Sequence, residues 1–212
     1  MTDERIFEIL GSLFPHAHCE LVHQNVYELT VSVMLSAQTT DIAVNKITGE
    51  LFKHYPDLHS LAQANRDDLE GLIKTIGLYR NKAKNLVKMA QYALEYYDGA
   101  IPDELDKLIT LPGVGRKSAN VILSEWYHVP AIAVDTHVER VAKRLGLANK
   151  NDSVLIVEQN LMNRFPQSRW NRLHHLMIFF GRYQCHARKP QCEGCPFISI
   201  CSYQNEKKDA VD

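Results

Sequence analysis

The stretch LPGVGRKSAN, from Leu111 to Asn120, is the feature that most constrains the fold of this chain. Pro112 cannot continue the short apolar helix that is predicted before it. Gly113 and Gly115 open backbone angles that other residues avoid. From Arg116 onward, the spacing of apolar residues predicts another helix with one buried face. The stretch therefore predicts a helix, a tight hairpin and a second helix.

The hairpin leaves backbone N–H groups without partners at the N-terminus of the second helix, where the helix dipole favours negative charge. Such a turn predicts a phosphate site. Lys117 lies in the first turn of that helix, beside the predicted phosphate. From its position alone, this lysine is either a counter-charge or a nucleophile.

A related pattern lies 36 residues earlier in the chain. The matched pairs are Leu69 with Leu105, Leu72 with Leu108, Ile73 with Ile109, Gly77 with Gly113, Arg80 with Arg116, and Ala83 with Ala119. The matched Gly and Arg favour a tandem repeat of helix–hairpin–helix units over a coincidence of apolar spacing. The first copy has Asn81 where the second has Lys117, so only the second copy has the lysine and the two-glycine hairpin.

Apolar periodicity predicts helices throughout the rest of the chain and no convincing strand, which makes the fold all-α. The main predicted helices cover 4–14, 26–37, 42–54, 67–75, 81–97, 106–110, 152–165 and 169–183, and a further helix follows Asp135. A length of 212 residues allows one large domain or two small ones. We expect a cytosolic chain, because neither a signal peptide nor a run of membrane-spanning length is visible.

Charge is distributed unevenly along the chain although the net charge is only -1. Residues 111–192 carry 12 Lys and Arg against 5 Asp and Glu, whereas the rest carries 12 against 20. This asymmetry favours a basic face for a nucleic acid on an otherwise neutral body. The alternative is a chance clustering of charges on separate solvated faces.

Four cysteines lie within seventeen residues, with the spacing C-x6-C-x2-C-x5-C: Cys185, Cys192, Cys195 and Cys201. A cytosolic chain is not expected to hold them as disulfides, so the soft thiolates predict iron–sulfur or zinc. Zinc sites usually pair two close knuckles, and only one C-x-x-C is present here, which favours a 4Fe–4S cluster. Arg188 and Lys189 lie on the loop between the first two cysteines, where they could reach a phosphate.

Three more residues have both an ordinary and a functional interpretation. Asp135 follows a buried apolar segment and can simply cap a helix, or it can act with Lys117 as a proton acceptor. Gln38 and Leu78 lie in predicted turns, where they have ordinary turn and core roles or fill space in an opened DNA duplex.

Together, LPGVGRKSAN, AVDTHV and the cysteine array resemble the endonuclease III family, the bifunctional branch of the helix–hairpin–helix DNA glycosylases. LSAQTTD and TIGLYRNKA are similar to further stretches of that family. The resemblance implies two helical lobes with DNA in the cleft between them. A six-helix barrel with the helix–hairpin–helix would cover 19–129, and an iron–sulfur cluster lobe would combine 1–18 with 130–212.

The same resemblance implies base excision repair of oxidised pyrimidines such as thymine glycol, with cleavage 3′ to the abasic site. Lys117 matches the nucleophile, Asp135 the catalytic carboxylate, and the four cysteines the 4Fe–4S ligands. Gln38 and Leu78 match the residues that fill the gap left by the flipped nucleotide. Gly113, Gly115 and Arg116 would grip the DNA backbone, and Arg188 and Lys189 would add contacts. We expect a cytoplasmic monomer, associated with the nucleoid if bacterial, that binds damaged double-stranded DNA and no membrane.

Two alternatives stay open at this point. The adenine mismatch branch shares the fold and cluster but lacks the hairpin lysine and has an additional C-terminal domain. A non-catalytic DNA-binding or electron-transfer protein could use the same hairpin and cluster, although Lys117 together with Asp135 argues against it.

Overall fold

The computed structural model describes residues 1–209, and every regular element within that range is helical. The all-α prediction is therefore confirmed. The helices are α1 (Asp3–Leu13), α2 (Val26–Leu35), α3 (Asp41–His54), α4 (Leu58–Ala62), α5 (Arg66–Ile73), α6 (Tyr79–Tyr96), α7 (Leu105–Leu108), α8 (Arg116–Glu125), α9 (Thr136–Arg144), α10 (Val154–Arg164), α11 (Trp170–Tyr183) and α12 (Ser202–Asp209). A short 3-10 helix, Gln167–Arg169, precedes α11.

Backbone contacts divide the chain into two compact units. The continuous unit is Glu20–Val129, and the discontinuous unit combines Met1–Cys19 with Pro130–Asp212, of which residues 210–212 lie outside the described part. The description of the first as a barrel and of the second as a cluster lobe stays a prediction. Within the described residues, the helices are too short or too polar for one to cross a membrane.

Helix α2 forms the centre of the continuous unit. Eight of its ten residues are buried, and it packs against α3, α6 and α8. The run could be a strand or a helix by composition, but its length suits a helix, and the structure confirms the helix. Thr30 can occupy a buried position on α2 because its hydroxyl donates a hydrogen bond to the carbonyl of Val26 at 2.7 Å. This bond satisfies the buried polar group.

The long helix α6 organises the rest of that unit, because α2, α4 and α5 all pack on it, while α7 packs on α8. Several of these helices begin at side-chain caps. Thr40 accepts a hydrogen bond from the amide of Ala43 at the start of α3, and Asp57 forms a capping box with Ser60 at the start of α4. These caps satisfy amides that have no partner inside the helix.

In the discontinuous unit, α11 packs against both α1 and α9. Gly181 permits the contact with α9, because a Cβ at this position would lie 2.9 Å from the Cβ of His137. Helix α1 is tied to the C-terminal part by Arg164, which donates to both carboxylate oxygens of Asp3 at 3.0 and 2.6 Å. Arg172 adds hydrogen bonds to the carbonyls that follow α1.

Candidate active site and cluster loop

The hairpin between α7 and α8 depends on one glycine more than on the other. Gly113 has a φ of +85°, and a Cβ there would lie 2.9 Å from the Cβ of Asn85 and 3.0 Å from the Cε of Met34. Gly115 has a φ of -93° and open space where a Cβ would be. The expectation of a special backbone angle at Gly115 is therefore wrong, because the turn reverses at Gly113 alone.

Helix α8 begins at Arg116 without a side-chain cap, since its N-cap is Gly115. Ala119 and Ile122 anchor the buried face of this helix, while Arg116 and Lys117 are exposed in its first turn. No capping side chain therefore competes for the first-turn amides, which is the arrangement that the predicted phosphate site requires. Because Lys117 is exposed, protein atoms alone do not desolvate its amine.

Gln38 and Leu78 are both exposed and both have left-handed backbones, with φ values of 55° and 60°. Their turns adjoin, because a Cβ on Gly77 would lie 4.0 Å from the carbonyl oxygen of Gln38. In the first copy of the repeat the left-handed residue is Leu78, which aligns with Val114, whereas in the second copy it is Gly113. The two hairpins thus differ in their turns although their helices correspond.

Asp135 is the N-cap of α9. One carboxylate oxygen accepts hydrogen bonds from the amides of His137 and Val138, both at 2.9 Å. The other lies 3.1 Å from the Nδ1 of His137. The side chain is 17% exposed, so the carboxylate is held firmly and still reaches solvent. The predicted capping role is confirmed, and the catalytic role stays a prediction.

The structure brings some of the predicted residues together within the continuous unit. Met34 and Asn85 pack beside Gly113, so the hairpin lies next to the end of α2, where the Gln38 turn begins, and to the second turn of α6, which starts after Leu78. Lys117 belongs to this unit and Asp135 to the discontinuous one. Their joint action on one nucleotide therefore remains a prediction.

The four C-terminal cysteines line one pocket between α11 and α12, with Phe197 and Arg144 among its other walls. None forms a disulfide. Burial, together with the three neighbouring thiols, raises the pKa of Cys195. Among the described residues, no three Cys, His, Asp or Glu side chains are placed to hold a single metal ion. Four soft donors around a pocket, rather than around a point, suit a cluster of several metal atoms.

Two arginines on α9, which sequence reasoning missed, hold the start of the loop between Cys185 and Cys192, called the cluster loop below. Arg144 donates to the sulfur of Cys185 at 3.2 Å and to the carbonyl of His186 at 2.8 Å. Arg140 donates to the carbonyl of Cys185 at 3.1 Å. The only available signal was their spacing of four residues, which places both on one helix face.

Arg188 and Lys189 are exposed at the tip of the loop between Cys185 and Cys192. Lys189 has a left-handed backbone, with a φ of 53°. The loop thus presents two cations to solvent, as predicted, while its contact with DNA remains a prediction.

Comparisons with known proteins connect these features. A sequence model of the HhH-GPD superfamily of base excision DNA repair proteins matches residues 31–167. A second, for the iron–sulfur binding domain of endonuclease III, matches residues 185–201, from the first of the four cysteines to the last. The chain is 52% identical to endonuclease III of Bacillus subtilis (strain 168) over 200 residues, which are 94% of this chain and 91% of that protein. This chain belongs to the endonuclease III family.

Two further comparisons agree with the endonuclease III assignment. Endonuclease III of Escherichia coli (strain K12) is 40% identical, with 92% of each chain covered. A solved structure described as a trapped endonuclease III–DNA covalent intermediate is 48% identical, with a TM-score of 0.94 over 98% of this chain and 99% of that one. The chain is therefore a base excision repair enzyme, a DNA glycosylase with AP lyase activity that carries a 4Fe–4S cluster. The non-catalytic alternative falls with this assignment.

Proposed function

We propose that Lys117 is the nucleophile of this glycosylase and lyase. The observation that carries the proposal is the position of Lys117, exposed in the first turn of α8 directly after an uncapped glycine hairpin. A phosphate held by the first-turn amides would set a nucleotide close to the lysine amine. The structural relative described as a trapped covalent intermediate with DNA supports chemistry of this kind.

The chemistry follows from the residue types. The neutral Lys117 amine attacks C1′ of the deoxyribose, the bond from C1′ to the base breaks, and the base departs with a proton. Ring opening gives an imine between C1′ and the lysine nitrogen. Loss of the C2′ proton then expels the 3′ phosphate, which cuts the strand. Asp135 accepts and returns protons and stabilises positive charge on the sugar.

DNA must be opened before this chemistry begins. The amides near Gly113, Gly115 and Arg116 hold a phosphate, and the damaged nucleotide is flipped out, at least cost when its base stacks poorly. Gln38 and Leu78 then fill the space left in the duplex. The adjoining, exposed and left-handed turns that carry these two side chains support this role.

The substrates we propose are oxidised pyrimidines such as thymine glycol, and abasic sites, in double-stranded DNA. We further propose that the protein acts as a monomer in the cytoplasm, at the nucleoid in a bacterium. Cys185, Cys192, Cys195 and Cys201 would hold the 4Fe–4S cluster, which fixes the shape of their loop and so presents Arg188 and Lys189 to the DNA backbone.

Borohydride trapping tests the nucleophile. A duplex with one abasic site, or one thymine glycol, is incubated with the native protein, with Lys117→Ala, and with Lys107→Ala as an exposed lysine control on α7. Reduction of an imine fixes the protein covalently to the DNA. We expect a covalent complex for the native protein and for the control, and none for Lys117→Ala.

The result that would overturn this assignment is a trapped complex with Lys117→Ala at the native yield. Absence of trapping for all three proteins, with specific binding intact in a separate binding assay, would also overturn the assignment, because no imine would then form at Lys117. Because the Lys107→Ala control keeps Lys117, the comparison separates loss of the nucleophile from loss of any exposed lysine.

A further inference from the structure

Helix α6 carries one cation on its buried face. The other buried residues of the helix are apolar, namely Ala83, Leu86, Met89, Ala90 and Ala93. Lys82 is only 7% exposed, and burial lowers its pKa. A lysine in an apolar position of the helical repeat requires an explanation, because lysine is almost never fully buried unless it is paired.

The ammonium of Lys82 is bound by two oxygen atoms of the neighbouring turn. Nζ donates to the carbonyl of Leu35 and to the hydroxyl of Thr39, each at 2.8 Å. Among the described residues, no carboxylate forms an ion pair with it. The ammonium is therefore held by hydrogen bonds alone.

The two acceptors lie on either side of Gln38. Leu35 ends α2, Thr39 leads into α3, and the left-handed residue Gln38 lies in the turn between them. At the other side, the amide of Lys82 donates to the carbonyl of Leu78 at 3.0 Å. One residue is thus bonded to both turns, the first through its side chain and the second through its backbone.

Non-glycine residues in the left-handed region persist only where their surroundings hold them. Gln38 and Leu78 are both of this kind and both are exposed, so their side chains cannot supply the restraint themselves. We infer that Lys82 is a positioning residue, which locks the turn of Gln38 onto the start of α6 so that Gln38 and Leu78 enter an opened duplex as one rigid pair.

This inference rests on the proposed gap-filling role of Gln38 and Leu78. The test therefore measures that role separately. An abasic-site analogue is placed in a duplex opposite 2-aminopurine, whose fluorescence rises when it is unstacked, and the signal is read at saturating protein so that affinity does not contribute. The experiment compares the native protein with Gln38→Ala, Leu78→Ala, Lys82→Met and the double variant Gln38→Ala with Lys82→Met.

The matched control is Lys84→Met, an exposed lysine on the same helix. Because Lys82→Met could fail to fold, Thr39→Val is included; it removes one acceptor of the Lys82 ammonium and keeps the shape of the side chain. Thermal melting of each variant reports the fold. A purely structural role would lower the melting temperature without changing the fluorescence of the saturated complex.

We expect Lys82→Met to lose as much of the fluorescence rise as Gln38→Ala does. The double variant should lose no more of this rise than either single variant, and Thr39→Val should lose part of it. Non-additivity of this kind identifies residues that act as a unit. A native signal for Lys82→Met or for a folded Thr39→Val, or losses that add in the double variant, would overturn the inference. A native signal for both Gln38→Ala and Leu78→Ala would overturn the gap-filling role itself.

Discussion

At Asp135 the two carboxylate oxygens have different tasks. One is committed to the first-turn amides of α9, and the other lies beside the imidazole of His137. A cap and the predicted catalytic carboxylate are therefore compatible in one side chain, because the capping bonds occupy one oxygen and fix the orientation of the other. Asp135 therefore caps α9, and this capping role does not exclude the predicted catalytic role.

Substitution of Asp135 separates the two roles. Asp135→Asn keeps a capping oxygen, so we expect its stability to stay close to native while turnover falls by about 10²–10⁴-fold, the usual contribution of general acid–base catalysis. Asp135→Ala loses the cap as well, at about 1 kcal/mol. Single-turnover cleavage of abasic DNA and urea unfolding measure the two quantities. Full activity in a stable Asp135→Asn protein would leave Asp135 with the cap alone.

Substitution of the two hairpin glycines tests which of them sets the turn. Gly113→Ala places a methyl group against the Cβ of Asn85 at a positive φ, so we expect a loss of about 1–3 kcal/mol in the free energy of unfolding. Gly115→Ala meets no atom and should cost less than about 1 kcal/mol as an N-cap change. Equal losses in chemical denaturation would show that Gly113 does not set the turn.

Among the elements, α9 connects two candidate sites of the discontinuous unit. Its first turn is capped by Asp135, and its last turn carries Arg144, which donates to a cysteine of the cluster loop. Since a helix of this length is stiff, the cluster loop and the carboxylate are held at a fixed separation. The loop is accordingly tied, through α9, to the framework that orients the carboxylate of Asp135.

The two cations on the loop between Cys185 and Cys192 predict how strongly the affinity for DNA depends on the salt concentration. If Arg188 and Lys189 each neutralise one phosphate, the double substitution to Ala should flatten the slope of log affinity against log salt by about 2. Binding to undamaged DNA of any sequence should weaken similarly. Titrations at several salt concentrations measure the slope, with Lys53→Ala and Lys88→Ala, both exposed, as the control. An unchanged slope excludes this loop from DNA contact.

The type and position of most helices, though not of α12, could be predicted from the sequence, because caps and apolar periodicity act locally. The sequence predicts α3 at 42–54, and the helix occupies Asp41–His54, with Thr40 as the cap. Helix α8 starts at the expected Arg116. Likewise, the grouping of the four cysteines follows from their spacing, since a short loop cannot separate them by much.

The backbone of the turns could not be predicted in this way. The left-handed angle of Leu78 and the ordinary angle of Gly115 are set by what packs around each hairpin, which a repeat in sequence does not encode. The partners of Lys82 lie 43 and 47 residues away, and those of Arg144 more than 40. Such long-range hydrogen bonds leave no local pattern.

For the molecule as a whole, the discontinuous unit depends on α1, whose buried residues Ile6 and Leu10 join the core formed by the C-terminal helices. Leu10→Ala should lower the free energy of unfolding by about 2–5 kcal/mol. Leu13→Ala, on the same helix but 39% exposed, should change it by less than about 1 kcal/mol. Similar effects in thermal and urea unfolding would show that α1 does not contribute to that core.

The division of the chain also has a consequence for biosynthesis. Residues 20–129 are contiguous, so the continuous unit can form as soon as they leave the ribosome. Helix α1 is made before the continuous unit, yet its apolar partners on α11 emerge about 160 residues later, a delay on the order of 10 seconds at about 5–20 residues per second. The apolar face of α1 therefore stays uncovered until α11 is made, and the pocket lined by the four cysteines, Phe180 and Gln184 forms only after that.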